Sequence, residues 1–408
     1  MSGPLSHIRV LDLSRVLAGP WAGQNLADLG AEVIKVERPG TGDDTRAWGP
    51  PFLNDRDGEP TRESAYYLAT NRGKRSIAID IASRSGADLV RKLAAKSDIV
   101  LENYKVGGLA GYGLDYESLK KVNPRLVYCS ITGFGQTGPY RERPGYDFVI
   151  QAMGGMMSIT GERDERAGGG PQKVGVAIAD IMTGMYASVA VLAALAHRDR
   201  TGEGQHIDLA LLDCLVASLA SQNMNYLVSG GVPGRLGNEH ANIVPYQVFD
   251  AADGRIVVAV GNDGQFARFC DIAGCPELAV DERFATNRGR VENRERLIPM
   301  IAEILRTRSA RDWLDGLEEA GIPCGPVNDL AAVFEDPQIR HRELKRELRH
   351  PLADVAPQVV SPMRFSSSQH VYKDASPLLG QHTDEVLGGI LGLDPGQIQE
   401  LRAAGVVG

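Results

Sequence analysis

Asp180 stands directly before a long apolar run, Ile181 to His197, that reads as a helix. An acid in that place is first of all an N-cap that accepts a backbone N–H. A helix N-terminus also favours the ionised carboxylate, and only that form is nucleophilic, so covalent catalysis is a second use of the same position. The residues alone leave both readings open. Cys324, in Ile322-Pro323-Cys324-Gly325-Pro326, is another nucleophile by type, but no histidine is paired with it and it reads as a cysteine in a turn. The eight histidines form no ligand-spaced cluster, HExxH is absent, and the five cysteines include no CxxC pair, so no metal site is expected. Donors for a developing oxyanion could come from Gly133-Phe134-Gly135-Gln136 or Gly168-Gly169-Gly170, although turns that need glycine explain both loops equally well.

These groups have to be positioned by the elements around them. His7–Leu13 reads as a strand, Gly19-Pro20 as a break, Trp21–Leu29 as a helix that Gly30 ends, and Glu32–Glu37 as a second strand. Such a succession within about thirty residues is a βαβ unit with parallel strands. Ser76–Asp80, Asp98–Glu102 and Leu126–Ser130 continue as strands, with helices at Ser85–Lys96 and Tyr116–Val122, which gives an α/β, doubly wound, Rossmann-like sheet. Gly161–Gly170 reads as a mobile charged loop, Gln205–Leu209 as a strand, and Gly230–Asn238 as a second loop. Tyr246–Phe249 and Arg255–Val260 around Asp253-Gly254 form an antiparallel hairpin in a smaller α+β domain. The expected division is a large domain of residues 1–205 and 354–408, a small domain of 226–335, and linkers at 206–225 and 336–353.

Ligands of a parallel sheet bind at the carboxyl ends of its strands. The cations Arg15, Arg38, Arg72, Lys74, Arg75 and Lys105 gather near strand ends in a net-acidic chain, which suits a multiply phosphorylated ligand; a solvated charged rim is the plainer reading for any one of them. Glu37 ends the second strand where a ribose-binding acid would sit, but GxGxxG is absent, which disfavours a nicotinamide cofactor.

The 408 residues suggest two or three domains, and 43% hydrophobic with 24% charged residues excludes a disordered or fibrous chain. A net charge of −8 provides no basic footprint for nucleic acid. No apolar run is expected to reach membrane length, the N-terminus does not read as a secretion signal, and an odd cysteine count argues against a disulfide framework. A soluble cytoplasmic enzyme is expected.

Several ordered motifs resemble the class III coenzyme A transferases, also called the CaiB/BaiF or formyl-CoA transferase-like family. They are VLDLSRVLAGPWAGQNLADLGAEVIKVERPGTGDDTR, NRGKRSIAIDI, DIVLENY, YCSITGFGQTGPYRERPGYD, VGVAIADIMTGMYA, GIPCGPVND and SPLLGQHTDEVL. HANIVPYQVF, GNDGQF and HPLADVAPQVVSPMRFS are similar to the branch that handles dicarboxylates, which includes succinate–hydroxymethylglutarate (glutarate) CoA-transferases.

The resemblance implies a large and a small domain in an interlocked homodimer. Its substrates would be an acyl-CoA and a small carboxylic acid, with no metal and no tightly bound cofactor. It implies Asp180 as the catalytic residue, with CoA contacts at Leu17, Ala18, Arg38, Ile79, Asp80, Ile81, Ala82, Asn103, Tyr104 and Lys105. Tyr146 and Asp147 would lie beside the acyl group. An arginine the family often places eight residues after Asn103 is Gly111 here, which leaves Lys105 to supply phosphate-binding charge. The family's flexible glycine loop has Gly230–Gly237 as its candidate.

The implied chemistry moves through an aspartyl anhydride and an aspartyl-CoA thioester. The alternatives are an α-methylacyl-CoA racemase and a non-catalytic acyl-CoA-binding protein. The racemase branch places a histidine at the position of Tyr146, and a phenol is a poor base at neutral pH.

Overall fold

The structure is a computed structural model and describes residues 3–408. Six parallel strands form the main sheet: β1 (Arg9–Asp12), β2 (Glu32–Glu37), β3 (Arg75–Ala78), β4 (Ile99–Glu102), β5 (Val127–Thr132) and β6 (His206–Ala210). Their spatial order is β3-β2-β1-β4-β5-β6, with Val10 opposite Val33 on one side and Ile99 on the other.

The strands are short, nearly continuous apolar runs because both faces of the sheet are covered. Val10, Val33, Ile99, Leu101 and Val127 face a core shared with α1 (Ala18–Asp28), α4 (Ile178–Thr201) and α5 (Leu211–Ser218). Their alternates Leu11, Ile34, Ile77 and Val100 face a second core with α2 (Arg84–Ala94), α6 (Thr383–Leu391) and α7 (Pro395–Ala403). The C-terminal tail thus returns to the first domain, where Val407 bridges to Ile79.

The chain forms two compact units. The first holds the residues through Met156, Val174–Ser229 and Arg340–Gly408, and the second holds Met157–Lys173 and Gly230–Ile339. This differs from the expected division at three places. Residues 206–225 are not a linker: they contain β6, the sixth strand of the sheet, and α5, whose Leu211 and Leu215 lie in the first core. Residues 157–173, with the charged loop, belong to the second unit. From Arg340 onward the chain belongs to the first unit, where β10 (Lys345–His350) pairs with β11 (Asp354–Val359).

The second unit is built on β7 (Tyr246–Asp250), β8 (Arg255–Ala259) and β9 (Cys324–Pro326), all antiparallel, with Phe249, Ile256, Phe266, Phe269 and Trp313 in its core.

The helix α4 is long and apolar enough, by length and composition, to cross a membrane, contrary to the expectation that no such run exists. One face of it lies in the core through Ala179, Ala187, Val191 and Leu195. A core helix of this length reads as apolar all round because its other face is apolar too: Met185, Val189 and Leu192 are exposed.

Candidate active site

The strand order reverses between β1 and β4, and a cavity of about 510 Å³ opens at the carboxyl ends there, the usual place for a ligand on such a sheet. Its walls are the loops that follow the strands. Arg15 and Val16 come from β1, Arg38 and Asp43 from β2, Ile79–Ala82 from β3, Asn103–Lys105 from β4, and Thr132 and Gly133 from β5. Asp180, Arg141, Arg143 and Tyr146 complete the lining.

The two central loops are stitched to each other. The Asn103 side chain accepts from Arg15 N (2.9 Å) and donates to Arg15 O (2.7 Å). Val16 next to it has φ +70, a conformation rare for a β-branched residue; its N–H donates to the Asp43 carboxylate (3.2 Å).

Beneath these loops lies a floor of buried ion pairs. Lys74 Nζ meets Asp12 at 2.8 Å, and Lys35 Nζ meets Asp43 at 2.8 Å, with every one of these side chains inaccessible. Glu37 is bound by Arg46 (2.8 and 2.9 Å), Ser76 Oγ (2.6 Å) and the Asp43 N–H (3.0 Å). It therefore has no lone pair to offer a ribose, which removes the one feature that suggested a nicotinamide cofactor. Burial raises the Asp43 carboxyl, but the Lys35 charge and hydrogen bonds from Lys35 and Thr45 outweigh it, holding the group at about 2.

Asp180 is not the N-cap the sequence suggested. α4 begins at Ile178, so Asp180 is its third residue. The cap comes from elsewhere in the fold: Asp147 Oδ1 accepts from Ala179 N (2.7 Å) and Asp180 N (3.4 Å). Gln151 holds Asp147 from behind (Nε2 to Oδ2, 2.6 Å) and accepts from Val174 N (2.9 Å). The Asp180 carboxyl is raised to about 7, by burial first and then by the Asp147 charge. Among the described residues no cation offsets that charge, the reverse of the floor below.

Two glycine contacts set this geometry. A Cβ on Gly184 would come within 2.6 Å of Ala18 O, so glycine lets α4 cross α1 closely one turn after Asp180. Gly133 and Gly145 abut, a Cβ on either meeting the other's Cα (2.6 and 2.4 Å), which places Tyr146 against the β5 loop.

Of the residues named from the sequence, Ala18, Arg38, Ile79, Asp80, Ile81, Ala82, Asn103, Tyr104, Lys105, Tyr146 and Asp180 all line the one cavity. Leu17 and Asp147 do not: Leu17 is buried at the start of α1, and Asp147 acts through the α4 backbone. Three expected cations lie elsewhere. Arg72 is buried against Asp28 (2.6 Å), Lys74 is in the floor, and Arg75 opens β3 at its amino end, paired with Glu32 and Glu385. Gly111 has open space around it, and Arg141 and Arg143 add charge to the cavity.

Neither glycine loop is free to provide all its N–H groups. Gly135 N donates to Thr132 Oγ1 and Gln136 N to Asp208, while Gly169 N donates to Arg166 O and Gly170 N to Glu162 O in the second unit. Gly230–Gly237 also belongs to the second unit. Cys324 has its thiol raised by burial and by Glu318, so it holds no reactive thiolate. Among the described residues no three His, Cys, Asp or Glu side chains are grouped to hold a metal ion.

Tyr66 was missed. Its hydroxyl is raised by burial and then by the charges of Asp180, Asp147 and Asp43, and its ring packs edge-on to Trp48 at 5.2 Å. No periodicity or motif in Ser64-Ala65-Tyr66-Tyr67 distinguishes it from its buried neighbour Tyr67.

The chain is 54% identical over 384 residues to a succinate–glutarate CoA-transferase of Agrobacterium fabrum, covering 94% of this chain and 95% of that one. It is 45% identical to the human succinyl-CoA:glutarate CoA-transferase, over 99% of this chain and 90% of the other. Among solved structures, a CaiB/BaiF family protein from Brucella suis superposes with a TM-score of 0.84 at 51% identity, covering 96% of this chain and all of that one. Residues 5–383 match CoA-transferase family III, and the chain belongs to that family of enzymes.

Proposed function

We propose that the protein moves CoA from a dicarboxylic acyl-CoA such as succinyl-CoA to a second small dicarboxylate such as glutarate. The supporting observation is a carboxyl titrating near neutrality, Asp180, at a cavity lined by Arg38, Lys105, Arg141 and Arg143. The relatives' names supply the acid class. Ionised Asp180 attacks the thioester carbonyl, forming an acyl–aspartyl anhydride and releasing CoA thiolate. The thiolate attacks the aspartyl carbonyl, giving an aspartyl–CoA thioester and the free donor acid. The acceptor carboxylate displaces the thiolate to form a second anhydride. The thiolate then takes the new acyl group and restores Asp180. One thioester is consumed and one is made, so no energy source is needed.

CoA enters along the β1–β4 switch point, its phosphates on Arg38 and Lys105, with the Ile79–Ala82 loop beside them. An interlocked homodimer in the cytoplasm is part of the proposal, and the first unit leaves the apolar side chains Val189, Val216 and Leu227 exposed, the last at 70%, as area that a second copy would cover. Assaying CoA exchange from succinyl-CoA to a panel of mono- and dicarboxylates tests the reading. Glutarate or a near relative is expected to be the best acceptor; exchange confined to long-chain monocarboxylates would contradict it.

A further inference from the structure

Glu102 is a buried carboxyl that the chemistry above does not use. It ends β4, is 5% exposed, and accepts from Tyr104 N (2.8 Å), so it braces the loop that carries Asn103 and Lys105 into the cavity. On the neighbouring strand β5, Ser130 stands directly opposite Glu102 in the parallel register, and its hydroxyl lowers the carboxyl's pKa. Ser130 Oγ lies 2.9 Å from Nε2 of His206 on β6. His206 is solvent-exposed and stacks on Tyr116 at 5.2 Å. Three side chains on three neighbouring strands thus connect the CoA loop to solvent at the sheet edge.

Burial raises Glu102 to about 7 against the hydrogen bonds from Ser130 and Tyr104 N. The titratable groups on which its charge acts are Tyr104 on its own loop and Tyr128 and Cys129 on β5, the last from the opposite face of the sheet. The cations Arg15, Lys35 and Arg38 act on the Tyr104 hydroxyl, whereas the Glu102 carboxyl is left to burial and two hydrogen bonds. Burial of part of the His206 ring lowers its pKa, against the charges of Asp208 and Glu117, which raise it.

We propose that Glu102, Ser130 and His206 form a proton conduit through which the Glu102 carboxyl is neutralised as the phosphates of CoA settle beside its loop. This rests on the CoA reading of the cavity. A buried anion next to an incoming polyanion is disfavoured, so binding draws a proton onto it. The ionised carboxylate requires Ser130 to donate to it, which leaves Ser130 Oγ to accept from a protonated Nε2. On binding, a solvent proton adds to His206 Nδ1, Nε2 passes its proton to Ser130 Oγ, and Ser130 passes its own to Glu102. The imidazole ends neutral again, with its proton on Nδ1 instead of Nε2. The second carboxyl oxygen still accepts from Tyr104 N, so the loop is not released.

The test uses the Asp180→Asn enzyme, which removes the other near-neutral carboxyl of the cavity. The probe is 3′-dephospho-CoA, whose diphosphate does not titrate near neutrality. Calorimetric titration in two buffers of different ionisation heat, at about pH 7.5, should report uptake of up to about one proton per site. Adding Glu102→Gln should abolish the uptake while binding persists. In the Asp180→Asn protein alone, 15N-edited NMR should show His206, assigned by His206→Gln, changing from the Nε2–H to the Nδ1–H tautomer on binding. Binding without uptake, uptake that survives Glu102→Gln, or an unchanged His206 tautomer overturns the conduit and leaves the CoA reading standing. No binding of the probe overturns both.

Discussion

Below β1 and β2 the carboxyls of Asp12, Glu37 and Asp43 each meet a cation, Lys74, Arg46 and Lys35 in turn, and all three are held below the usual carboxylate range even though burial pushes each of them up. At the start of α4 the neighbour of Asp180 is another acid, and the carboxyl is raised to about 7. All four groups are carboxyls that burial pushes up, although Asp180 is partly buried where the other three are buried outright. What differs is whether a cation offsets the charge. A paired carboxylate is an anchor: its lone pairs are occupied and its charge is neutralised. An unpaired one keeps a lone pair and a high-energy charge, which is what a nucleophile requires. The floor fixes the loops and the helix start does the chemistry.

The largest effect expected follows from removing that unpaired charge. Asp180→Asn keeps the side-chain volume but cannot attack a thioester, and initial rates of CoA exchange should fall by roughly four orders of magnitude or more. Stability should move the other way. A carboxyl whose folded pKa is raised contributes stability below its ordinary value of 3.8, and that contribution is lost as pH rises toward about 7. The variant should therefore melt at or above the wild-type temperature at pH 7.5 or so, and the gap should close on acidification. A variant that melts well below wild type at neutral pH would reverse the contrast between the two regions.

Breaking the floor should do the converse. Lys74→Met leaves Asp12 charged and inaccessible, and removing one member of a buried pair destabilises by about 3–5 kcal/mol. Urea unfolding measures it, and a loss under about 1 kcal/mol would show that the floor is not an anchor.

A third effect sharpens the acid–acid neighbourhood. Because Asp180 must ionise to react, kcat/KM for acyl-CoA should rise with pH through about 7. Asp147→Asn removes the smaller of the two causes, so the midpoint should shift downward yet stay above the ordinary 3.8, because burial remains. An unmoved midpoint would mean that the Asp147 charge does not reach Asp180. The smallest effect belongs to the exposed rim: Arg38→Ala should raise KM for acyl-CoA by about tenfold, less at high salt, with kcat little changed.

Much of the sheet was legible because parallel strands covered on both faces are written as dense apolar runs, and β2 was placed to the residue. β6 was recognised as a strand but assigned to a linker, since an edge strand such as His206-Ile207-Asp208-Leu209 is only half apolar. Most of the cavity lining was carried by family motifs. What the sequence misplaced was tertiary in origin. Asp180 resembles a cap in the string Ala179-Asp180-Ile181, but the true cap, Asp147, is brought there by α3 (Asp147–Met153) and the Gly133–Gly145 contact. Arg72 and Lys74 precede β3 in the chain and Arg75 opens it, and in a parallel sheet that puts them at the end opposite the site or inside the floor. Tyr66 and the Glu102–Ser130–His206 chain exist only through the register of separate elements.

The central claim is that the Asp180 carboxyl itself becomes acylated. Incubating the enzyme with succinyl-CoA and hydroxylamine, then mapping peptides by mass spectrometry, tests it most directly. The account predicts a hydroxamate on Asp180 that requires the acyl-CoA and is absent when CoA or succinate is given alone. Full CoA exchange with Asp180 unmodified, or with the hydroxamate on another carboxyl, would contradict it.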